Sequence, residues 1–156
     1  MTRYATLFGI GMLLLLFSIF ATWYEGAEIV DRPFEWEYST PFSGPVLEGS
    51  DISRLDYFVY AIKFKPTFPI VMAVSSIYLL AVAGHFFLKN RKRFFINYVA
   101  FMAALLLILG VLMFSSTTSG AKALSYVFLS SGALGVIISL LYYFVPFDRG
   151  VVFNKR

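Results

Sequence analysis

The chain has 156 residues, 59% of them hydrophobic, 19% aromatic and only 14% charged, with a mean hydropathy of +0.76 and a net charge of +4. That is too little polar surface to cover a water-soluble globule of this size, and the composition points to a lipid bilayer. The absence of cysteine excludes a disulfide-stapled loop and thiol redox chemistry.

Four runs almost free of ionisable groups follow one another, at residues 4–24, 67–88, 94–114 and 123–145. At a rise of about 1.5 Å per residue, about 20 apolar residues cross a hydrocarbon core of roughly 30 Å. A backbone in lipid must satisfy its own hydrogen bonds, and these runs lack the alternation of barrel strands, so each is predicted to be a helix. The first run follows Arg3 and contains Ala21, features of a secretion signal. It is longer than an h-region of about 7–15 residues and leaves through Trp23 and Tyr24, which suit a membrane interface, so it is read as a retained span.

Between the first two runs lies a segment of about 25–66 that holds eight of the nine acidic residues: Glu25, Glu28, Asp31, Glu35, Glu37, Glu48, Asp51 and Asp56. Its "FEWEYS" places Phe34, Trp36 and Tyr38 on one face and Glu35, Glu37 and Ser39 on the other, the period of a half-buried strand. "YFVYAIKFK" alternates similarly, and "TPFSGPVLEGSD" between them supplies Pro41, Gly44, Pro45 and Gly49 for turns. A two-stranded ribbon lying on the helix ends is the expectation. The rival is an interfacial helix over 52–64 with Leu55, Phe58, Val59 and Ile62 on its apolar face; β-branched and aromatic content favours the strand.

The second run opens with "KPTFP", where Pro66 and Pro69 suit a helix start. The third and fourth are joined by "SSTTSGAK", with Ser119 as a cap and Gly120 available for a positive φ; the fourth stops at Pro146. The fold class is therefore a four-transmembrane-helix bundle with a strand-containing loop between helices 1 and 2, one membrane domain over 1–156.

Charge orients the bundle. Arg3, the "KNRKR" cluster (Lys89, Arg91, Lys92, Arg93) and Arg149, Lys155 and Arg156 fall on one side of four spans, and short basic loops stay in the cytoplasm. Arg32, Arg54, Lys63, Lys65 and Lys122 lie opposite. The expectation is a multi-pass plasma-membrane protein with both termini cytoplasmic and the acidic loop extracytoplasmic. Membrane lipid then accounts for the basic residues, and nucleic acid is not an expected partner.

Retained charges within spans usually mark transport or catalytic paths, and none is present, which sets proton-coupled transport and intramembrane hydrolysis low. Ser130, Ser131, Gly132, Gly135 and Ser139 give the fourth helix a small-residue face, with the Ser131 and Gly135 pair read as helix packing against small surfaces such as Ala5, Gly9, Ala100 and Ala104. His85 has too few companions for a metal site and is read as an interfacial histidine. Glu35 and Glu37 could join Glu25, Glu28 or Asp31 around a divalent cation, but the spacing lacks the pattern of a calcium loop, so no metal, cofactor or catalytic residue is assigned. Trp36, Tyr38, Glu35 and Glu37 are the candidate partner-binding residues, because exposed aromatics are favoured where partners dock.

The stretch "FATWYEGAEIVDRPFEWEYSTPF", with the hydropathy layout, resembles a group of small, uncharacterised integral membrane proteins of Bacillus-type bacteria. The resemblance implies the membrane architecture and brings no activity. Four helices with a structured first outer loop are also similar to the claudin-like architecture, without that family's loop cysteines or tryptophan signature. The preferred function is a non-enzymatic membrane protein whose acidic and aromatic loop is an interaction surface for another membrane or envelope protein or for a second copy. A small channel, transporter or accessory transport subunit is the alternative, and an enzyme using loop carboxylates ranks below both.

Overall fold

A computed structural model describes residues 2–40 and 43–144, and all regular structure in them is helical. The elements are α1 (Thr2–Gly26), α2 (Arg54–Phe64), α3 (Thr67–Leu88), α4 (Lys92–Phe114) and α5 (Ser119–Phe144). Short 3₁₀ segments at Ala27–Asp31, Pro33–Tyr38 and Gly49–Asp51 lie between α1 and α2. Pro41, Pro146, Arg149, Lys155 and Arg156 lie outside the described residues.

α1, α3, α4 and α5 are each long and apolar enough to cross a membrane. Their polarity is inverted relative to a soluble bundle. Only 17% of the most apolar stretch of each is buried within the protein. The buried positions are small or hydroxylic, among them Gly11, Ser18, Thr22, Ser75, Gly84, Ala103, Gly110, Ser125 and Gly132. Leu13, Phe17, Phe101, Leu112, Leu134 and Leu141 stand exposed. Large apolar side chains outside and close-approach residues inside are what helices packing within lipid require, since hydrocarbon offers no hydrophobic drive for helix association. The four helices carry the pattern of a multi-pass membrane protein.

The helices associate as two pairs. α4 and α5 pack along their length, with Gly132 against Leu107 and Gly135 against Ala103, while Ser125 donates to the Gly110 carbonyl at 2.6 Å. α1 packs on α3, where Gly11 meets Tyr78 and Leu79. The pairs touch more lightly; there Tyr98 of α4 sits on Gly84 and donates to the Leu80 carbonyl at 2.9 Å. Among the small residues expected to serve packing, Ala5, Gly9, Ala100 and Ala104 are exposed, and Gly11 and Ala103 take that role.

The strand-containing loop is overturned: no strand occurs among the described residues, and the segment is a helical cap. Two local features decide this. Pro33 occupies the first turn of a 3₁₀ segment, where its missing N–H is unpaired anyway. Ser53 and Asp56 form a reciprocal capping box that starts α2. The interfacial-helix alternative has the right secondary structure, but its face is rotated: Asp56, Tyr60 and Ala61 are buried and Leu55 is exposed.

α2 lies across the ends of α1 and α5, and two glycines let it sit directly on them. A Cβ at Gly26 would overlap the Tyr57 carbonyl, and one at Gly120 would overlap the carbonyls of Ile62 and Lys63. Gly120 is thus needed for close approach within the first turn of α5, and the positive φ expected there is found instead at Gly44, at 70°. Pro66 precedes α3 and Pro69 is buried in its first turn. The bundle therefore has a cap end, covered by α2 and the 3₁₀ segments, and a basic end with Arg3, Lys89, Arg91 and Arg93.

Candidate functional site

The cap is organised around a buried carboxylate. Asp56 shows no accessible surface, and its oxygens accept four hydrogen bonds. The Thr40 N–H and the Ser43 hydroxyl each donate at 2.5 Å, the Ser53 N–H at 2.7 Å and the Ser53 hydroxyl at 2.8 Å. Burial raises the pKa of this carboxyl, but the donors from Ser43, Thr40 and Ser53 outweigh it and hold the group well below the usual carboxylate range. One side chain thus starts α2 and ties the segment around Thr40 and Ser43 to it.

The stretch Pro33–Tyr38 sorts its side chains by three, because in a 3₁₀ helix positions i and i+3 eclipse. Glu35 and Tyr38 turn toward α2 and its end. Tyr60 donates to Glu35 at 2.5 Å, Lys63 donates to the Tyr38 carbonyl at 2.9 Å, and the Tyr38 ring packs on Phe64 at 5.1 Å. Pro33, Trp36 and Ser39 form a second face, where the Trp36 Nε1–H donates to the Ile29 carbonyl at 2.9 Å. Phe34 and Glu37 form the third and are exposed, Phe34 at 96%. Beneath lies a small core of Ile29, Ile52 and Tyr60, with Val30, Trp36, Val46 and Tyr57 packed on it.

Charges close the edge. Lys65 binds Glu28 at 2.9 Å, and Arg32 bridges Glu28 at 3.4 Å and Glu35 at 3.5 Å. The hydrogen bond from Lys65 is the main reason the Glu28 carboxyl lies below its ordinary pKa. The Tyr60 hydroxyl is pushed up to about 12, first by burial and then by the adjacent Glu35 carboxylate.

The four candidate partner-binding residues divide between two surfaces. Glu35 meets Tyr60 of α2 and the Tyr38 ring packs on Phe64, whereas Trp36 and Glu37 line an open groove of about 550 Å³ with Pro33, Ser39, Thr40, Gly44, Pro45 and Val46; the Tyr38 hydroxyl joins the two, since its hydrogen bond to the Glu37 carboxylate raises its pKa. Glu35 and Glu37 therefore do not share a face, and among the described residues no three His, Cys, Asp or Glu side chains are placed to hold one metal ion. His85 lies at the basic end, stacked on Tyr4 at 6.2 Å and edge-on to Phe95 at 5.9 Å. Asp56, Tyr60, Lys63 and Lys65 build the site as well, although no exposed aromatic or paired-acid pattern marks them in the sequence. The signal for Asp56 was present, since "SRLD" before an apolar run is a capping-box sequence.

Of the packing pair, Gly135 lies against Ala103, and Ser131 faces an apolar cleft of about 300 Å³ between α3, α4 and α5. Ser139 and Ser125 donate to carbonyls of α4, and Ser130 donates to the Val127 carbonyl of its own helix.

Comparison with known proteins adds a family. The Bacillus subtilis (strain 168) protein described as "Uncharacterized protein YjdJ" is 35% identical over 80 residues, covering 47% of this chain and 72% of that protein. No solved structure matches the chain. A family model described as "Domain of unknown function (DUF4306)" matches residues 5–88, from the first turns of α1 through the whole cap to the end of α3, with α4 and α5 beyond the match. The chain belongs to this DUF4306 family, and the matched region is the one that builds the cap.

Proposed function

We propose that this chain is a multi-pass protein of a bacterial plasma membrane, with its cap outside and its basic end in the cytoplasm. In this reading the cap binds an extended, cationic segment of another membrane or envelope protein in the Trp36 and Glu37 groove. The orientation is supported by the Lys and Arg count of the sequence: eight (Arg3, Lys89, Arg91, Lys92, Arg93, Arg149, Lys155 and Arg156) belong to the basic end and its flanking termini, four of them in one short turn, against five (Arg32, Arg54, Lys63, Lys65 and Lys122) on the cap side.

The observation that carries the binding role is the groove itself. Trp36 is held in place by its bond to Ile29 and borders an open concavity beside the exposed Glu37. Asp31 and Glu48, also exposed, neighbour Val30 and Gly49, which pack beside Trp36. A fixed aromatic edged by carboxylates suits Lys or Arg side chains through cation–π and charge attraction. A binding role fits the chemistry better than a catalytic one, because the Asp56 carboxylate is occupied by four internal donors.

The test is a photo-reactive residue at Ser39 in intact cells, with and without Glu37→Arg. Trp36 is left intact because it belongs to the cap core. A discrete crosslinked protein that the charge reversal removes supports the reading. The same crosslinks from Ser39 in both backgrounds, or from a position remote from the groove such as Ser130, overturn it.

A further inference from the structure

The geometry points to a lipid site: the cleft between α3, α4 and α5 seats one acyl chain of an anionic phospholipid, and the basic turn between α3 and α4 holds its headgroup. This inference rests on the membrane embedding proposed above and is independent of the cap groove.

The cleft exists because the two helix pairs are each closely packed but meet lightly. Its walls include Ile77, Ala81, Met102, Ser131, Leu134 and Ile138. They are almost wholly apolar, and the Tyr98 hydroxyl among them is already bonded to Leu80. Water has no place there, since a buried water needs two to four polar partners. A volume of about 300 Å³ is at the small end of ligand sites. A three-turn helix about 10 Å across would displace roughly 1,200 Å³, so a helix from a second copy does not fit.

Depth selects a lipid tail. Along α4 the lining runs from Phe95 to Leu106, three turns or roughly 16 Å at the helical rise, about half of a hydrocarbon core of roughly 30 Å. It therefore spans one leaflet, and it begins one turn from the basic segment that precedes Phe95. Lys89, Arg91 and Arg93 are exposed there; Lys89 sits over the Tyr4 ring at 5.3 Å and Arg91 over Phe94 at 5.8 Å, at the edge of the bundle. No acidic residue occurs from Tyr57 to Phe144, so every ionised side chain that α3, α4, α5 and their turns contribute is positive. An anionic headgroup at the basic turn and a tail in the cleft match the two surfaces at the spacing the helices impose.

The test uses the whole protein extracted in mild detergent, offered equal amounts of phosphatidylglycerol and phosphatidylcholine, with bound lipid counted by native mass spectrometry. The expected result is one retained phosphatidylglycerol, favoured at least fivefold over phosphatidylcholine. Ala81→Phe puts a ring into the cleft from α3, leaving the side chains of α4 and α5 unchanged, and should lower retention at least fivefold. Ser131→Leu, which fills the cleft from α5, decides the matter if the first variant loses its helical circular dichroism. Changing Lys89, Arg91 and Arg93 together to Gln should abolish the preference for the anionic lipid. Equal retention of the two lipids by the unaltered protein, or undiminished retention in a folded cleft-filling variant, overturns the site. A protein recovered from the aqueous fraction without detergent would instead overturn the membrane embedding, a result distinct from an extracted protein that retains no lipid.

Discussion

The Tyr60 hydroxyl donates to the Glu35 carboxylate at 2.5 Å, joining residues 25 positions apart across the underside of the cap. Tyr60 is 1% exposed and Glu35 also meets Arg32, so a phenol, a carboxylate and a guanidinium share one partly dry site. The bond works only while the phenol keeps its proton, which makes the cap sensitive to alkali.

The sign follows from the pKa. The Tyr60 pKa is raised from 10.0 to about 12 in the folded state, so its stabilisation is fully present below pH 10 and is lost as pH rises toward 12. A shift of this size corresponds to on the order of 3 kcal/mol. Denaturation followed between pH 9 and 12 should show a steeper alkaline loss in the unaltered protein than in Tyr60→Phe. At neutral pH the same variant should cost about 1.5 kcal/mol, at the low end for a bond to a charged group, because Arg32 still serves Glu35.

Asp56 gives the opposite dependence. Its folded pKa is lowered, so its contribution is present above the ordinary aspartate pKa of about 3.9 and is lost as pH falls below it. Asp56→Asn should cost about 2–4 kcal/mol, since four donors lose their charged acceptor in a buried site. Hydrogen exchange at Thr40, Ser43 and the first turn of α2, corrected for the intrinsic pH dependence of exchange, should rise in this variant and lose the acid dependence that the unaltered protein shows below about pH 4. Unchanged exchange at those amides would remove Asp56 from the centre of the cap.

These two side chains show where the sequence was legible and where it was not. The four long helices were readable because apolar length alone distinguishes a membrane-compatible run. The cap is not legible in the same way, because Phe34, Trp36 and Tyr38 satisfy a two-residue period by composition, while the segment that Pro33 opens is a 3₁₀ turn with a three-residue one. α2 was readable in principle, from Ser53 and Asp56, but β-branched Val59 and Ile62 weighed more heavily than the capping signal. The Tyr60 and Glu35 pairing depends on how the chain folds back over 25 residues, and no local pattern carries it.

Two glycines test the seating of α2. By helix propensity alone, Gly26→Ala and Gly120→Ala should stabilise by up to about 1 kcal/mol. Here the added methyl meets backbone carbonyls, which cannot rotate away as a side chain can, so both should instead destabilise by about 1–3 kcal/mol. Gly9→Ala is the control, since nothing lies within 4 Å of its added Cβ. Thermal unfolding in micelles should rank Gly9→Ala at or above the unaltered protein and both other variants below it. Protease nicking should appear between α1 and α2 in the two destabilised variants.

Orientation can be read directly because the chain has no cysteine of its own. Ser50 is exposed at the cap and Asn90 is exposed in the basic turn, so a single cysteine at either position reports one end of the bundle. Neither side chain takes part in the capping boxes or the Asp56 cluster, so the fold should tolerate both changes. In intact cells an impermeant maleimide should modify Ser50→Cys at least tenfold faster than Asn90→Cys, and opening the cells should equalise the two. The basic turn carries Lys89, Arg91, Lys92 and Arg93, and moving such residues across a bilayer is opposed during insertion, whereas the cap's acids contribute little to that choice. Faster labelling at Asn90 in intact cells would place the groove in the cytoplasm and withdraw it from any envelope partner.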